Sequence, residues 1–404
     1  MINSVTNGIK GMSPGRIKKL QGKIAGAGME AAIVLYSRDV FYYTGTAQPS
    51  VLLITPKEFH LFIRRGYDFA ITDGRIRLNK DNLSNESRLE MVSNKLKEWK
   101  VTKGVVGLEL DIMPAETYLK WLELLPNFQI VNVSPLILEQ RMKKDVDEIA
   151  LIRKACHVMD AGHMRALEVL EEGTTELELS AAIEHAHRRA GDEGATIIRH
   201  PDFCAGTAMV SSGTNLCKVS GIVNSLGGVG LSAAVPIGAS LKKIMRGEPI
   251  VIDKAVLHDG YYADQSRTYV IGKASSDIRS LFYSLKDVSD YVIANLTDGV
   301  KCDEIYRLAW QRSQELGLKD YFQDLGSGKI ANFIAHGVGL EANELPLVMR
   351  DNHSTIHNGY VLSVEMHIMH PGYGAVKLED MVLITNHGAE ILSVSPRELF
   401  EVER

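Results

Sequence analysis

The stretch that decides the fold is Val251-Ile252-Asp253-Lys254-Ala255-Val256-Leu257-His258-Asp259-Gly260-Tyr261-Tyr262-Ala263-Asp264-Gln265-Ser266-Arg267-Thr268. Two runs rich in β-forming residues flank the pair Asp259-Gly260, which tolerates the positive φ angles of a tight turn. The stretch therefore predicts a β-hairpin. Asp253 and Asp264 then lie beside the turn, either opposite each other or as diagonal neighbours on one face of the hairpin.

Two carboxylates that point into one space repel each other and are costly to bury unpaired. Such a pair is stable on the solvated outer face of an antiparallel sheet, or around a bound cation. For an isolated pair of aspartates the solvated face is the better interpretation. A second pair of acidic residues in a similar arrangement favours the cation.

A second hairpin with the same property follows near the end of the chain. Residues 360–370 and 375–385 flank a turn at Pro371-Gly372-Tyr373-Gly374, so Glu365 and Glu379 should face each other. Between the hairpins, His336 lies in a short apolar run of small residues. Two Asp, two Glu and one His form an oxygen-rich ligand set, which suits a pair of Mn²⁺-like ions better than a structural zinc site.

The composition is that of an ordinary globular chain. With 404 residues, of which 45% are hydrophobic and 24% charged, the chain is expected to form two or three domains. The net charge of −5 gives no basic surface for nucleic acid. The cysteines show no paired spacing, which indicates reduced thiols in a cytoplasmic protein. They are Cys156, Cys204, Cys217 and Cys302.

No membrane association is expected from the sequence. The N-terminus lacks the apolar core of a signal peptide. The uncharged run Val219 to Leu241 is long enough to span a membrane, but Pro236 and several glycines interrupt it. We therefore interpret this run as a loop.

Two parts of the chain differ in their pattern. Residues 1–137 alternate helix and strand signals, as expected for a mixed α/β domain. Residues 138–404 begin with a long helix from about Asp145 and a second helix, capped by Thr174 or Thr175, that ends near Gly191. A similar helix pair is predicted at 276–294 and 302–317. Each pair precedes one half of the acidic set, which suggests an internal duplication.

The order and spacing of the five ligand candidates resemble those of the pita-bread metallopeptidases, the family of methionine aminopeptidase, aminopeptidase P, prolidase and creatinase. Residues 39–45, Asp-Val-Phe-Tyr-Tyr-Thr-Gly, also resemble a motif in the N-terminal domain of the prolidase and aminopeptidase P branch. The resemblance implies an α/β (α+β) fold, with a creatinase-like domain at 1–137 and a pita-bread catalytic domain at 138–404. The resemblance further implies that the catalytic domain has a curved antiparallel sheet with pseudo-two-fold symmetry and that the protein forms a homodimer.

The resemblance also implies a role for each ligand candidate. Asp253 and Glu379 would bridge or chelate two divalent ions, with Mn²⁺ favoured over Co²⁺ or Zn²⁺, and Asp264 would be the other aspartate ligand. His336 would bind one ion only, and Glu365 would be both ligand and proton shuttle. Glu365 and His336 are thus the expected catalytic residues. The implied reaction is Xaa-Pro dipeptidase or aminopeptidase chemistry, in which a metal-bridging hydroxide attacks small peptides.

The sequence departs from the peptidase pattern where two substrate-facing histidines are expected. Pro236 or Ile237 stands at the first position, and Asn343 stands at the second. Asn343, with His367 or His200, is therefore expected to contact the substrate instead. Arg267 is a further candidate, because its guanidinium could bind a substrate carboxylate, although pairing with an acidic residue of the protein is as plausible.

The sequence is also compatible with two other functions. A hydrolase or lyase of a small carboxylated metabolite could use the same metal scaffold. A binding protein with an inactive site is disfavoured, because five converging ligands without a metal would leave repelling buried charge.

Overall fold

The structure is a computed structural model that describes residues 15–72, 76, 78–200, 209–220, 225–326 and 328–403. The chain divides into two compact units, Met1–Arg141 and Met142–Arg404. The domain boundary predicted between residues 137 and 138 falls within a helix, Ser134–Met142.

The first unit is a mixed α/β structure. Its described helices are α1 (Gly15–Gly26), α2 (Ser37–Thr44), α3 (Tyr67–Thr72), α4 (Glu90–Glu98), α5 (Ala115–Leu124) and α6 (Ser134–Met142). Its described strands are β1 (Ala31–Val34), β2 (Ser50–Ile54), β3 (Phe59–Ile63), β4 (Leu83–Asn85), β5 (Gly104–Leu108) and β6 (Phe128–Asn132). The strands form one sheet in the order β4-β3-β2-β1-β5-β6, with both parallel and antiparallel neighbours.

Helices α2 and α6 are joined by a buried ion pair. Asp39 on α2 is 0% exposed, and its Oδ1 lies 2.6 Å from Nη1 of Arg141 on α6. Gly45 ends α2 in the left-handed conformation, with φ of 82°. The motif at residues 39–45 is thus a short helix whose acidic residue binds α6 and whose glycine reverses the chain.

The second unit contains the two predicted helix pairs and a largely antiparallel sheet. Its described helices are α7 (Val146–Val169), α8 (Glu176–Ala190), α9 (Ser276–Asn295) and α10 (Cys302–Glu315). Its described strands are β7 (Met209–Ser212), β8 (Pro249–His258), β9 (Tyr261–Ile271), β10 (Phe333–Gly337), β11 (Glu344–Met349), β12 (Val361–His370), β13 (Gly374–Thr385), β14 (Gly388–Ile391) and β15 (Phe400–Val402).

The main path of this sheet is β11-β10-β12-β13-β9-β8-β7, with β14 beside β13 and β15 beside β9. Both predicted hairpins are confirmed. Asp259 and Gly260 have φ of 50° and 82° in the turn between β8 and β9. Strands β12 and β13 flank the second turn, and β9 pairs with β13 where Ser266 lies opposite Glu379. The two hairpins are therefore adjacent in one sheet, and the α/β fold expected from the resemblance is confirmed.

The predicted helix starts are confirmed in detail. Asp145 and Thr175 each form a capping box. The side chain of the capping residue accepts a hydrogen bond from the backbone N–H of the third helical residue, Glu148 or Glu178. The side chain of that glutamate accepts a hydrogen bond from the backbone N–H of the capping residue. Gly191 ends α8 with φ of 109°. Caps of this kind satisfy backbone groups that have no partner inside the helix, which is why they mark helix ends in a sequence.

Some elements were not predicted. Helix α6 lies where the sequence suggested a connection between domains, with Pro135 in its first turn, where a missing N–H costs nothing. Strands β7, β11, β14 and β15 are three to six residues long, too short for a clear alternating pattern. Within the described part of the chain, we find no helix both long and apolar enough to cross a membrane.

We predict that Thr175→Ala lowers the free energy of unfolding by about 1 kcal/mol, because the N-terminus of α8 loses its cap. Chemical denaturation measures this change. Thr174→Ala is the matched control, since it removes the same atoms next to the cap position. An equal loss of stability in both variants would contradict the role of the cap.

Candidate active site

Strand register places four polar residues in one row across the sheet. Asp253 on β8 lies opposite Ser266 on β9, and Ser266 lies opposite Glu379 on β13. Glu379 in turn lies opposite Glu365 on β12. Because residues directly opposite each other point to the same face of a sheet, all four side chains meet above one surface.

Asp264 and His336 extend this row. Asp264 pairs with Ala255, so it is a diagonal neighbour of Asp253, which was one of the two predicted registers. Nε2 of His336 lies 3.3 Å from Oε1 of Glu365 and 3.9 Å from Oε1 of Glu379. Ligand atoms of Asp264, His336 and Glu379 all lie within 4.8 Å of one another. The structure therefore brings all five predicted ligands to one place.

His336 is oriented by its neighbours. Its Nδ1 lies 3.0 Å from the carbonyl oxygen of Gly337, to which it can donate, so Nε2 is the ring nitrogen that faces the carboxylates. The small residue after His336 is required, because a Cβ on Gly337 would lie 2.2 Å from the backbone oxygen of Leu345. This arrangement is typical of a histidine that binds a metal through Nε2.

Glu379 is held by two serines. The hydroxyl of Ser266 donates to its Oε2 at 2.6 Å, and the hydroxyl of Ser363 donates to its Oε1 at 2.8 Å. These bonds fix the plane of a carboxylate that is only 1% exposed.

Lys377 is a member of the cluster that the sequence reasoning missed. It lies two residues before Glu379 on β13 and is 1% exposed. Its Nζ lies 2.6 Å from Oδ2 of Asp253, 2.8 Å from Oε2 of Glu365 and 3.3 Å from Oε2 of Glu379. It also donates to the hydroxyl of Ser225 at 2.6 Å. The period of two along a strand was the available signal, since it places residues 377 and 379 on one face.

Burial and the crowding of like charges shift the pKa values of the cluster. Burial, followed by the charges of Glu379 and Asp253, raises the pKa of Asp264 well above its ordinary value. Burial also raises the pKa of Glu379 to about 7, although Lys377 opposes this shift. A bound cation would reverse both shifts, because it favours ionised carboxylates.

The pKa values of His336 and Glu365 move in opposite directions. Burial alone would lower the pKa of His336, but its contact with Glu365 and the nearby carboxylates raise it to about 9. Burial would raise the pKa of Glu365, but Lys377 and His336 hold it well below the ordinary range. The donor set of carboxylates and one oriented imidazole fits a divalent cation such as Mn²⁺.

The predicted substrate contacts lie in different environments, and His367 is opposite Lys377 in the strand register. Asn343 lies just before β11 and is partly buried, and His200 is exposed. His367 is 2% exposed, and its Nε2 lies 2.8 Å from the backbone oxygen of Asp324. Burial lowers the pKa of His367 to about 4, so the ring is neutral.

The side chain of Arg267 is fully occupied by the protein. Its Nε donates to the backbone oxygen of Pro396, and Nη1 donates to those of Ser266 and Glu379. Nη2 donates to Oδ1 of Asp380 and to the backbone oxygen of Ser395. These bonds use all five N–H donors of a guanidinium. They do not support the predicted contact between Arg267 and a substrate.

An antiparallel sheet that gathers two Asp, two Glu and one His on one face defines a metal-dependent hydrolase of the pita-bread class. The chain belongs to the metallopeptidase family M24, whose model matches residues 150–386. The creatinase/prolidase N-terminal domain matches residues 16–143. The family resemblance seen in the sequence, and the expectation of a metallopeptidase-like hydrolase, are thus confirmed.

Relatives of known name span both parts of the chain. An Xaa-Pro dipeptidase of Pyrococcus horikoshii is 25% identical over 95% of this chain and 98% of its own length. One of Pyrococcus furiosus is 30% identical over 66% of this chain and 68% of its own. Among solved structures, the Xaa-Pro dipeptidase of Bacillus anthracis has a TM-score of 0.80 at 22% identity and covers 96% of this chain and 99% of its own. At 22% identity, the similarity to that structure shows a shared fold.

We predict that Arg267→Leu lowers the free energy of unfolding by about 3–5 kcal/mol, because it leaves the carboxylate of Asp380 buried without one of its partners. Denaturant titration measures the change. Arg279→Leu removes an exposed ion pair with Glu401 and should cost less than about 1 kcal/mol. Unchanged stability in Arg267→Leu would instead favour the contact with a substrate.

We predict that the metal-free protein becomes less stable as the pH rises. The folded state raises the pKa of Glu379 from 4.5 to about 7 and that of His336 from 6.5 to about 9, so it binds more protons than the unfolded chain between those values. Its free energy of unfolding should therefore fall from about pH 5 to about pH 9. Denaturation in EDTA across this range measures the slope.

Addition of Mn²⁺ should oppose this fall, since the ion binds ionised carboxylates and neutral imidazole. His336→Gln should reduce the slope between about pH 6.5 and 9. The exposed His357 provides a control, because His357→Gln should leave the slope unchanged. A flat or rising stability in EDTA would contradict this account.

Proposed function

We propose that this chain is a divalent-metal-dependent peptidase that hydrolyses small Xaa-Pro peptides. The observation that carries the proposal is the convergence of Asp264, His336 and Glu379, with ligand atoms within 4.8 Å of one another, beside the carboxylate of Glu365. Membership of a metallopeptidase family supports hydrolysis of a peptide bond.

A divalent cation at such a site lowers the pKa of water and stabilises a developing oxyanion. The protein's own contribution is proton transfer and orientation. Glu365 is ionised, since its pKa is held low, and its Oε1 faces His336 while Oε2 faces Lys377. It can accept a proton from the attacking water and return it to the leaving amine. His336 acts as a ligand with a fixed ring, and Asp264 and Glu379 complete the group of ligands beside it.

The substrate class comes from the relatives. Two archaeal relatives are named Xaa-Pro dipeptidases, and one of them matches nearly the whole of this chain. Asn343 remains the proposed contact in place of the second missing histidine. A role of His367 in binding is less well supported, because its Nε2 already lies against Asp324.

Several finer features are proposed on the same basis. Mn²⁺ is the favoured ion, because carboxylate oxygens dominate the ligand set. The two-ion arrangement predicted from the sequence needs Asp253 as a ligand, and Lys377 competes for that carboxylate. Assembly as a homodimer and a cytoplasmic location remain predictions from the sequence and the family.

A second candidate is hydrolysis or cleavage of a small carboxylated metabolite. The specific observation that favours it is the replacement of the two substrate-facing histidines, by Asn343 at one position and by Pro236 or Ile237 at the other. A peptidase that lacks both would need other groups to hold its substrate.

We predict that the Mn²⁺-loaded protein cleaves a panel of Xaa-Pro dipeptides and Xaa-Pro-Yaa tripeptides, and that Glu365→Gln lowers kcat by at least about 10²-fold through loss of proton transfer. Release of free amino acid measures turnover. His370→Gln is a control on the same strand, since His370 lies at the turn and stacks on Tyr373.

The panel also separates the two candidate functions. Cleavage that survives Glu365→Gln unchanged would contradict the assigned role of Glu365. Bound metal without cleavage of any peptide would contradict the proposed peptidase function and favour a reaction on a small carboxylated metabolite. Asp253→Ala provides a further test, because loss of metal with unchanged activity would count against both candidate metal-dependent enzymes.

A further inference from the structure

Lys377 places an ammonium group inside the cluster of carboxylates. An ammonium group has three N–H donors. Three acceptors lie within 2.8 Å of Nζ, and they are Oδ2 of Asp253, Oε2 of Glu365 and Oγ of Ser225. The ammonium is therefore fully coordinated by the protein, at a position enclosed by acidic oxygens.

The two glutamates divide their oxygens between two places. Oε1 of Glu365 lies 3.3 Å from Nε2 of His336, whereas Oε2 lies 2.8 Å from Nζ of Lys377. Glu379 repeats this division, with Oε1 at 3.9 Å from His336 and Oε2 at 3.3 Å from Lys377. The cluster thus has two places for positive charge, one beside His336 and one where the ammonium lies.

The geometry points to a site that holds a single divalent cation, beside His336 with Asp264 and Glu379, while the ammonium of Lys377 takes the place of a second one. This inference rests on the metal dependence proposed above, but it does not depend on the peptide specificity.

Three features of the structure support the exclusion of a second ion. The ammonium binds Oδ2 of Asp253 and Oε2 of Glu365, so an ion beside Asp253 would have to compete with it for these two oxygens. Lys377 is 1% exposed, so its ammonium is held within the protein and does not lie in solvent. Its backbone is also fixed, because Lys377 and Thr268 exchange two hydrogen bonds between β13 and β9.

Charge provides a separate argument. Asp253 is 3% exposed, and without a cation beside it the carboxylate would be buried close to two other acidic groups. Lys377 supplies that positive charge permanently, whereas an exchangeable ion would supply it only when bound. In the remaining group of Asp264, His336 and Glu379, Oε2 of Glu379 lies 3.3 Å from the ammonium, farther than the three acceptors that coordinate it, and the group keeps the imidazole. It has the mixed oxygen and nitrogen donors that one Mn²⁺ or Zn²⁺ accepts.

The test is the number of ions bound per chain. The full-length protein is stripped with a chelator, reloaded with Mn²⁺, freed of excess ion by gel filtration and analysed by elemental mass spectrometry. The expected result is one ion per chain in the wild type and two in Lys377→Met, which keeps the length of the side chain and removes its charge. The electron paramagnetic resonance spectrum should change from that of an isolated Mn²⁺ to that of a coupled pair.

Two variants serve as controls. Lys254→Met removes another buried lysine from the adjacent strand β8, whose side chain points to the opposite face from Asp253, and should leave one ion per chain. Lys377→Arg keeps the positive charge and should also leave one. These two variants show whether the number of ions bound per chain depends on the charge at residue 377 or on the loss of any buried lysine.

Each outcome is decisive. Two ions in the wild type would overturn the inference even if Lys377→Met failed to fold, and so would one ion in a folded Lys377→Met. No bound ion in the wild type would overturn both this inference and the proposed metal dependence. One ion in the wild type without cleavage of any peptide would support the inference and contradict only the peptidase.

Discussion

Compensation of buried negative charge is the constraint on which the catalytic unit depends. Asp253, Asp264, Glu365 and Glu379 are brought to one face of one sheet by strand register. Carboxylates so placed can remain ionised only if cations or hydrogen-bond donors face them. The structure supplies an ammonium, an imidazole and several serine hydroxyls within the protein, and it leaves a group of three ligands suited to one more cation. The rest of the unit holds these groups in register.

The reverse side of the sheet shows how that register is maintained. Arg267 follows Ser266 on β9 and therefore points away from the cluster. From there it binds the backbone oxygen of Glu379 at 2.6 Å and the carboxylate of Asp380, joining β9 to β13 at the row of ligands. Arg397 also donates to Asp380. The site is thus supported by a fully bonded polar layer behind it, which is the kind of support that keeps ligand positions fixed.

Much of this structure could be predicted from the sequence, because the relevant signals are local. The pair Asp259-Gly260 determines its turn, and Thr175 with Glu178 determines the start of α8. Register then follows from counting residues, which is how Glu365 and Glu379 could be placed opposite each other. In contrast, the partner that a side chain binds is not determined by its neighbours in the sequence. Whether Arg267 binds a substrate or Asp380, and whether Lys377 points into the cluster, depends on strands more than a hundred residues away in sequence.

The contact between Ser266 and Glu379 joins β9 to β13, and so joins the first hairpin to the second. The two aspartates precede both glutamates by more than a hundred residues, and His336 and Lys377 also follow them. A chain still emerging from the ribosome therefore has two acidic residues with neither the ammonium nor the imidazole that balances them. The group of Asp264, His336 and Glu379 exists only after the final hairpin has docked on β9, so a cation bound there would report that the catalytic unit has finished folding.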